Sequence, residues 1–328
     1  MPSPSVSKQP HTKKEWLKTA STLLFIVLVA LLALYVWHER QDMAKLLSLS
    51  WQTSTLLLLL GLGACIVNCL YHLVILQTYG IPMSLTDWMG VVCVSNAIAY
   101  VLPMRADLVF SAAYYKRVKN LSYTKSVSMA AGNIVFGTAF SLLQIFIALC
   151  CIGFLDKEWP ALLWAVWAFA AIALAVFIVL SLLVQNKSPK LLQKHKLLRE
   201  VMDGFAALLR NRTLLGRLLA CMVGNNVFQI LLYTLCFRAI GLPVTLYKAL
   251  FYNSVSWLAS IVAIVPGNVG IKESVMGIST LLMGMSFQDG VAVSLLHRMA
   301  IMVVYLLTGL AFAIPVYRKF TRERTAWK

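Results

Sequence analysis

Leu102-Pro103-Met104-Arg105-Ala106-Asp107 and Val265-Pro266-Gly267-Asn268-Val269-Gly270-Ile271-Lys272-Glu273 break two apolar stretches with proline, glycine and charge. Their surroundings match. Gly80-Ile81-Pro82 precedes the first break and Gly241-Leu242-Pro243 the second, with an apolar stretch between. Further on, Leu121-Ser122-Tyr123 answers Met285-Ser286-Phe287, and each triplet leads into a long apolar run. The offset is nearly constant, so the chain carries a weak internal repeat. Paired, Pro/Gly-interrupted hydrophobic segments at corresponding places in two halves point to a transporter's binding site. Charge at that depth in a bilayer is costly unless paired or wetted, which marks it as useful.

Composition sets the class. The 328 residues are 60% hydrophobic and only 12% charged, against ~25% charged in a soluble domain. Apolar runs long enough to cross a bilayer recur at Leu17–Trp37, Thr53–Leu76, Ser126–Leu155, Ala161–Val184, Leu214–Phe237 and Gly290–Val316. The first run is too long for the apolar region of a cleaved signal peptide and ends in Tyr35-Val36-Trp37, an interfacial anchor, so it is expected to stay as a span. Trp88–Leu102 and Lys248–Val265 are shorter and end at the proline motifs. The pattern predicts an all-α integral membrane protein with six full transmembrane helices and two re-entrant helical hairpins, near 88–119 and 248–284.

Charge sets the topology. Lys and Arg gather before the first span, around Lys116–Lys125, between Lys187 and Arg217, and after Val316. The positive-inside rule is met everywhere if both termini are cytoplasmic and both broken segments return to the side they left. The first hairpin then enters from the cytoplasm and the second from outside, so the repeats are inverted. The expected divisions are a cytoplasmic tail (1–16), a first span and outer loop (17–52), a first repeat (53–155), a linking span and basic connector (156–213), a second repeat (214–316) and a basic cytoplasmic tail (317–328). The connector reads either as an amphipathic helix on the inner leaflet or as a solvated link.

A net charge of +17 would suggest nucleic acid in a soluble protein. Here it is flank charge that orients the chain against anionic headgroups, and no nucleic-acid partner is expected. The cysteines Cys65, Cys69, Cys93, Cys150, Cys151, Cys221 and Cys236 all lie in apolar segments and read as free thiols. Cys65 and Cys69 share a helical face without a His or acid beside them, so no metal is expected. No cofactor motif and no catalytic motif is found, and the chain is not read as an enzyme.

The intramembrane polar residues are the candidate site. Pro103 and Pro266 stop one half-helix and can open the next, where free N–H groups and the dipole favour anions. Arg105 and Lys272 lie beside these breaks and could bind a phosphate-sized group, or merely close the hairpins by pairing with Asp107, Glu273 or carbonyls. Asp107 and Glu273 could carry a coupling proton or cap helices. Gly267 and Gly270 suit a tight turn. Arg298, next to His297, either partners Glu273 or snorkels to the outer interface. Asn96, Asn133, Asn268 and His297 are weaker candidates for lining a path, with hydrogen bonding between helices as their ordinary use.

Pro103-Met104-Arg105-Ala106-Asp107 followed by Pro266-Gly267-Asn268-Val269-Gly270-Ile271-Lys272-Glu273 resembles the flippase-like membrane region of lysylphosphatidylglycerol synthases, including its standalone members. That family's motifs read P-x-R-x-G-[DE], with an Arg a few residues on, and P-G-G-x-G-x-x-E. Pro103, Arg105, Asp107, Pro266, Gly267, Gly270 and Glu273 match, and Arg298 corresponds to an Arg of the family's last span. Ala106 and Asn268 stand where Gly is usual, and Phe110–Ser111 lacks the Arg. The resemblance implies transbilayer movement of a polar lipid, such as an aminoacyl-phospholipid or a polyprenyl-phosphate-linked glycolipid. The synthases' soluble aminoacyl-transferase domain is expected to be absent, and lysine transfer with it.

The expected function is flipping of an anionic lipid across the cytoplasmic membrane of a prokaryote by alternating access between the repeats. Membrane lipids are the expected partners, with a lipid-synthesising enzyme as a possible second. The alternatives are a non-transporting lipid-binding accessory protein, a membrane-embedded transferase acting on a lipid-linked substrate, and a small-solute transporter.

Overall fold

A computed structural model describes residues 49–77, 80, 82–102, 105–156, 164–173, 175, 211–262 and 268–322. The expected first span, Pro103, Pro266, Gly267 and most of the basic connector lie outside the described residues. Those described form helices without strands: α1 (Trp51–Gln77), α2 (Val91–Val101), α3 (Ala106–Lys119), α4 (Tyr123–Cys151), α5 (Trp164–Ala173), α6 (Arg212–Ala239), α7 (Leu246–Ile261), α8 (Ile271–Leu282) and α9 (Phe287–Arg322). A π-helical turn at Thr86–Gly90 leads into α2, and another at Ile152–Asp156 extends α4.

Length separates two kinds of helix. α1, α4 with its extension, α6 and α9 are long and apolar enough to cross a bilayer. α2, α3, α7 and α8 have 11, 14, 16 and 12 residues. At a rise of about 1.5 Å per residue, none of these four spans a hydrocarbon core of about 30 Å. They pair instead, α2 with α3 and α7 with α8. The surface is inverted relative to a soluble protein. Leu59, Leu70, Val223, Leu307 and Leu310 are exposed, while Asp87, Glu273 and Arg298 are buried. Water would penalise that arrangement and lipid rewards it.

The internal repeat is visible as geometry. Backbone with positive φ recurs at equivalent places, Gly80 with Gly241, Arg105 with Asn268, and Asn120 with Gly284. α1 crosses α6 in a reciprocal manner: the space a side chain would need at Gly63 is filled by Phe228, and Gly224 faces Val67. α7 packs on α4 and α2 packs on α9, again an exchange of equivalents.

The ion pairs at the helix ends complete the correspondence with the charges reversed. Asp87, just before α2, binds Lys319 near the end of α9 at 2.6 Å. Lys248, at the start of α7, binds Asp156 at the end of α4 at 2.9 Å, and Tyr247 donates its hydroxyl to the same carboxylate. Lys119 at the end of α3 also holds Asp87, at 2.7 Å. α4 begins just after α3 and ends beside α7, so the two short-helix pairs open at opposite ends of the bundle.

Candidate functional site

Arg105 is left-handed at φ 55 and begins α3. Its guanidinium reaches into the other half and donates to the carbonyls of Ser260 and Ile261, at 3.2 and 3.4 Å. These belong to the last turn of α7, whose carbonyls have no helical partner and carry the negative end of the dipole. Asn268 Nδ2 donates to the neighbouring Ala259 carbonyl at 2.6 Å. One break therefore caps the helix that leads into the other. Arg105 does not pair with Asp107, one of the sequence alternatives.

The second break is closed by a buried ion pair. Glu273 Oε1 accepts from Arg298 Nε at 2.8 Å and Nη2 at 2.6 Å. Its Oε2 accepts the Gly270 N–H at 2.7 Å, capping α8. Arg298 Nη2 also donates to the Asn268 carbonyl at 3.3 Å. Of the two roles open to Arg298, it takes the partner of Glu273. Gly270 at φ 83 and Asn268 at φ 60 make the turn. Asn is one of the few non-glycine residues that enter this region readily, which accounts for its place where Gly is usual.

A cavity of about 480 Å³ lies between α1, α2, α3, α4, α6 and α7, with Tyr305 of α9 also in its wall. Arg105 and Asp107 supply its charge, and Asn96 and Asn133 stand in its wall as expected. Asn68, His72, Asn225, Asn226, Asn253 and Trp257 also line it; single polar residues in apolar helices carry no periodic signal that would mark them as lining. The cavity runs towards the end of the bundle marked by Asp87, since Ile75, Tyr115 and Ser126 line it too. Lys272, Glu273, Asn268, His297 and Arg298 are not in its wall. The structure thus divides the expected site in two, and Lys272 does not join Arg105 at one anion position.

The equivalent place in the second half is shut. His297 Nε2 hydrogen-bonds Gln229 Oε1 at 2.8 Å, and its ring stacks on Tyr233 with centroids 4.2 Å apart. Gln229 and Tyr233 on α6 occupy the repeat positions of Asn68 and His72 on α1, which face open cavity. α9 packs against α1 and α6, whereas α4 makes no comparable contact with either.

Asp87, outside the cavity wall, is the buried charge the sequence reading missed. Besides its two lysines it accepts from Tyr114 Oη at 3.0 Å and from the backbone and hydroxyl of Ser84 at 2.9 Å each. Burial alone would push its carboxyl up, but Lys119, Lys319 and Ser84 outweigh burial and hold it well below the usual carboxylate range. The signal available was the repeat itself, which sets Asp87 opposite Lys248. Cys93 also joins Cys65 and Cys69, with Sγ separations of 3.9 and 3.8 Å, as free thiols between α1 and α2.

Long apolar helices, a lipophilic exterior and charge buried at helix breaks define a multi-pass helical membrane protein. The chain belongs to the lysylphosphatidylglycerol synthase TM region family, whose model matches residues 20–309. No curated protein matches it significantly. Membership places the chain in membrane-lipid handling.

Proposed function

We propose that this protein moves a polar anionic lipid between the leaflets by alternating access, with α2–α3 and α7–α8 as re-entrant hairpins of two inverted repeats. One observation carries the reading: equivalent interfaces in the two halves differ, open between α1, α3 and α4 and shut between α6, α8 and α9. Exchanging these two arrangements would close the present cavity and open its counterpart at the other end. Lys116, Arg117, Lys119, Lys125, Lys319 and Arg322 mark the open end as cytoplasmic by the positive-inside rule. The termini are cytoplasmic on this reading, in the inner membrane of a prokaryote. The headgroup occupies the cavity beside Arg105 while the tails remain in lipid. Glu273, Arg298 and His297 act as the outer gate rather than as headgroup ligands.

The polar groups support transport over catalysis. Glu273 is committed to Arg298, and among the described residues Asp107 is the sole carboxylate lining the cavity, so no acid–base pair of described carboxylates converges there. The test is reconstitution into vesicles with a fluorescent phospholipid in one leaflet, read by dithionite quenching. Wild type should exchange the lipid faster than empty vesicles, and Arg105→Ala should exchange it at least about tenfold more slowly, the loss of about one charge-assisted hydrogen bond. Exchange equal to protein-free vesicles for a panel of anionic lipids would favour a lipid-binding accessory protein.

A further inference from the structure

Three thiols meet between α1 and α2. Cys65 and Cys69 stand four residues apart on α1 and so share a face. Cys93 comes from the first turn of α2, just after the π-helical turn at Thr86–Gly90, a kind of turn that recurs at functional sites. The sequence spacing shows only the pair on α1, too few for a metal; the fold supplies the third donor. All three cysteines are buried.

Cys93 Sγ lies 3.9 Å from Cys65 Sγ and 3.8 Å from Cys69 Sγ, and all three sulfurs are within 4.8 Å of one another. A point equidistant from sulfurs so placed is about 2.2–2.5 Å from each, which spans the length of a metal–thiolate bond, about 2.3 Å for zinc. One ion therefore fits between them without moving a helix. Among the described residues no other three His, Cys, Asp or Glu side chains are gathered in this way. Cys150 shows the ordinary alternative, a thiol that accepts the Trp167 indole N–H at 3.3 Å.

We infer that Cys65, Cys69 and Cys93 bind one copper(I) ion in a three-sulfur site that ties α2 to α1. Sulfur ligands select copper(I), zinc and iron–sulfur clusters over hard ions. A cluster takes four cysteines and zinc completes a tetrahedron, whereas the described residues gather three donors, all sulfur. The surroundings are apolar, with Val92 and Val304 buried in the same cluster and Tyr305 and Phe312 packed against it. Gly309 lets α9 close over the site, since a side chain there would meet Ala97 and the Cys93 carbonyl. Copper(I) replaces a thiol proton with a single positive charge, so the site stays neutral once that proton has left to water. Val92 and Tyr305 belong both to this cluster and to the cavity wall, so the sulfurs adjoin a route of entry. Copper binding requires neither transport nor a particular lipid.

The experiment is copper(I) competition on the full chain. Purified protein in detergent, reduced and kept under nitrogen, is mixed with copper(I) and a chromogenic copper(I) chelator, whose absorbance reports what the protein keeps. Wild type should hold one copper per chain. Cys93→Ser and Cys65→Ser should each bind at least about a hundredfold more weakly, the upper end of what losing a mere outer-shell partner costs. Cys150→Ser should match wild type. X-ray absorption of the wild-type complex should show three sulfur neighbours per copper and no lighter ones. If the serine variants do not elute as wild type does, that spectrum decides alone. No copper kept against the chelator, equal retention by Cys93→Ser, equal loss in Cys150→Ser, or nitrogen or oxygen neighbours in the spectrum would each overturn the site.

Discussion

Glu273 and Arg298 show how a buried charge is tolerated when it is paired and hydrogen-bonded. Removing one member leaves the other uncompensated, at a cost of about 3–5 kcal/mol. Glu273→Gln should therefore lower the unfolding temperature in detergent markedly, and Glu273→Gln with Arg298→Met should recover a large part of the loss. A double variant no better than the single would argue against the pair. Asp87 differs, because its lysines are partly exposed, at 15% and 32% of the side chain, and can regain water. Asp87→Asn should cost about 1–3 kcal/mol. Its depressed folded pKa lies below the unfolded value of about 3.9, so the clasp's contribution is complete above about pH 5 and is lost as pH falls through the folded value. Wild type and Asp87→Asn should then differ by a constant amount between about pH 5 and 8, which a pH series of melting curves would check. Sequence reasoning identified Arg105, Asp107, Glu273 and Arg298 because charge in an apolar run stands out. It missed Asp87, which sits at the edge of such a run and looks like an interfacial residue.

At the scale of elements, hydropathy marked the long helices well: the expected span Thr53–Leu76 is α1, and Leu214–Phe237 is α6 with two residues added at each end. The broken segments were legible from proline and glycine. Which break faces a cavity was not, because both halves carry the same pattern and only packing between them distinguishes open from shut. The turn before α8 gives a direct check. Asn268 holds φ 60 and donates to Ala259, so Asn268→Gly loses the hydrogen bond alone, while Asn268→Ala adds about 1–2 kcal/mol of left-handed strain. Alanine should therefore melt below glycine. The reverse order would mean that this turn relaxes freely. Similarly, Gly137 lets α4 approach Trp257 of α7, since a side chain there would meet the indole ring.

For the whole molecule, the cavity should be reached from one side. A cysteine at Ser111, introduced into a background with the native cysteines replaced, should react with an impermeant maleimide from the cytoplasmic face. A lipid headgroup bound in the cavity should slow that reaction. Labelling from the outer face alone would invert the assigned orientation. The crossing of α1 and α6 has a different consequence. Gly63 meets Phe228 as Gly224 meets Val67, so each helix offers the other the same knob and the same hollow. That is the self-complementary surface of a two-fold dimer, written into one chain. Two copies of a single half could close the same crossing, one inserted each way up. If the repeats are inverted as proposed, the reversed pairs Asp87–Lys319 and Lys248–Asp156 give each half the charges of its own side of the membrane, which two identical copies could not do.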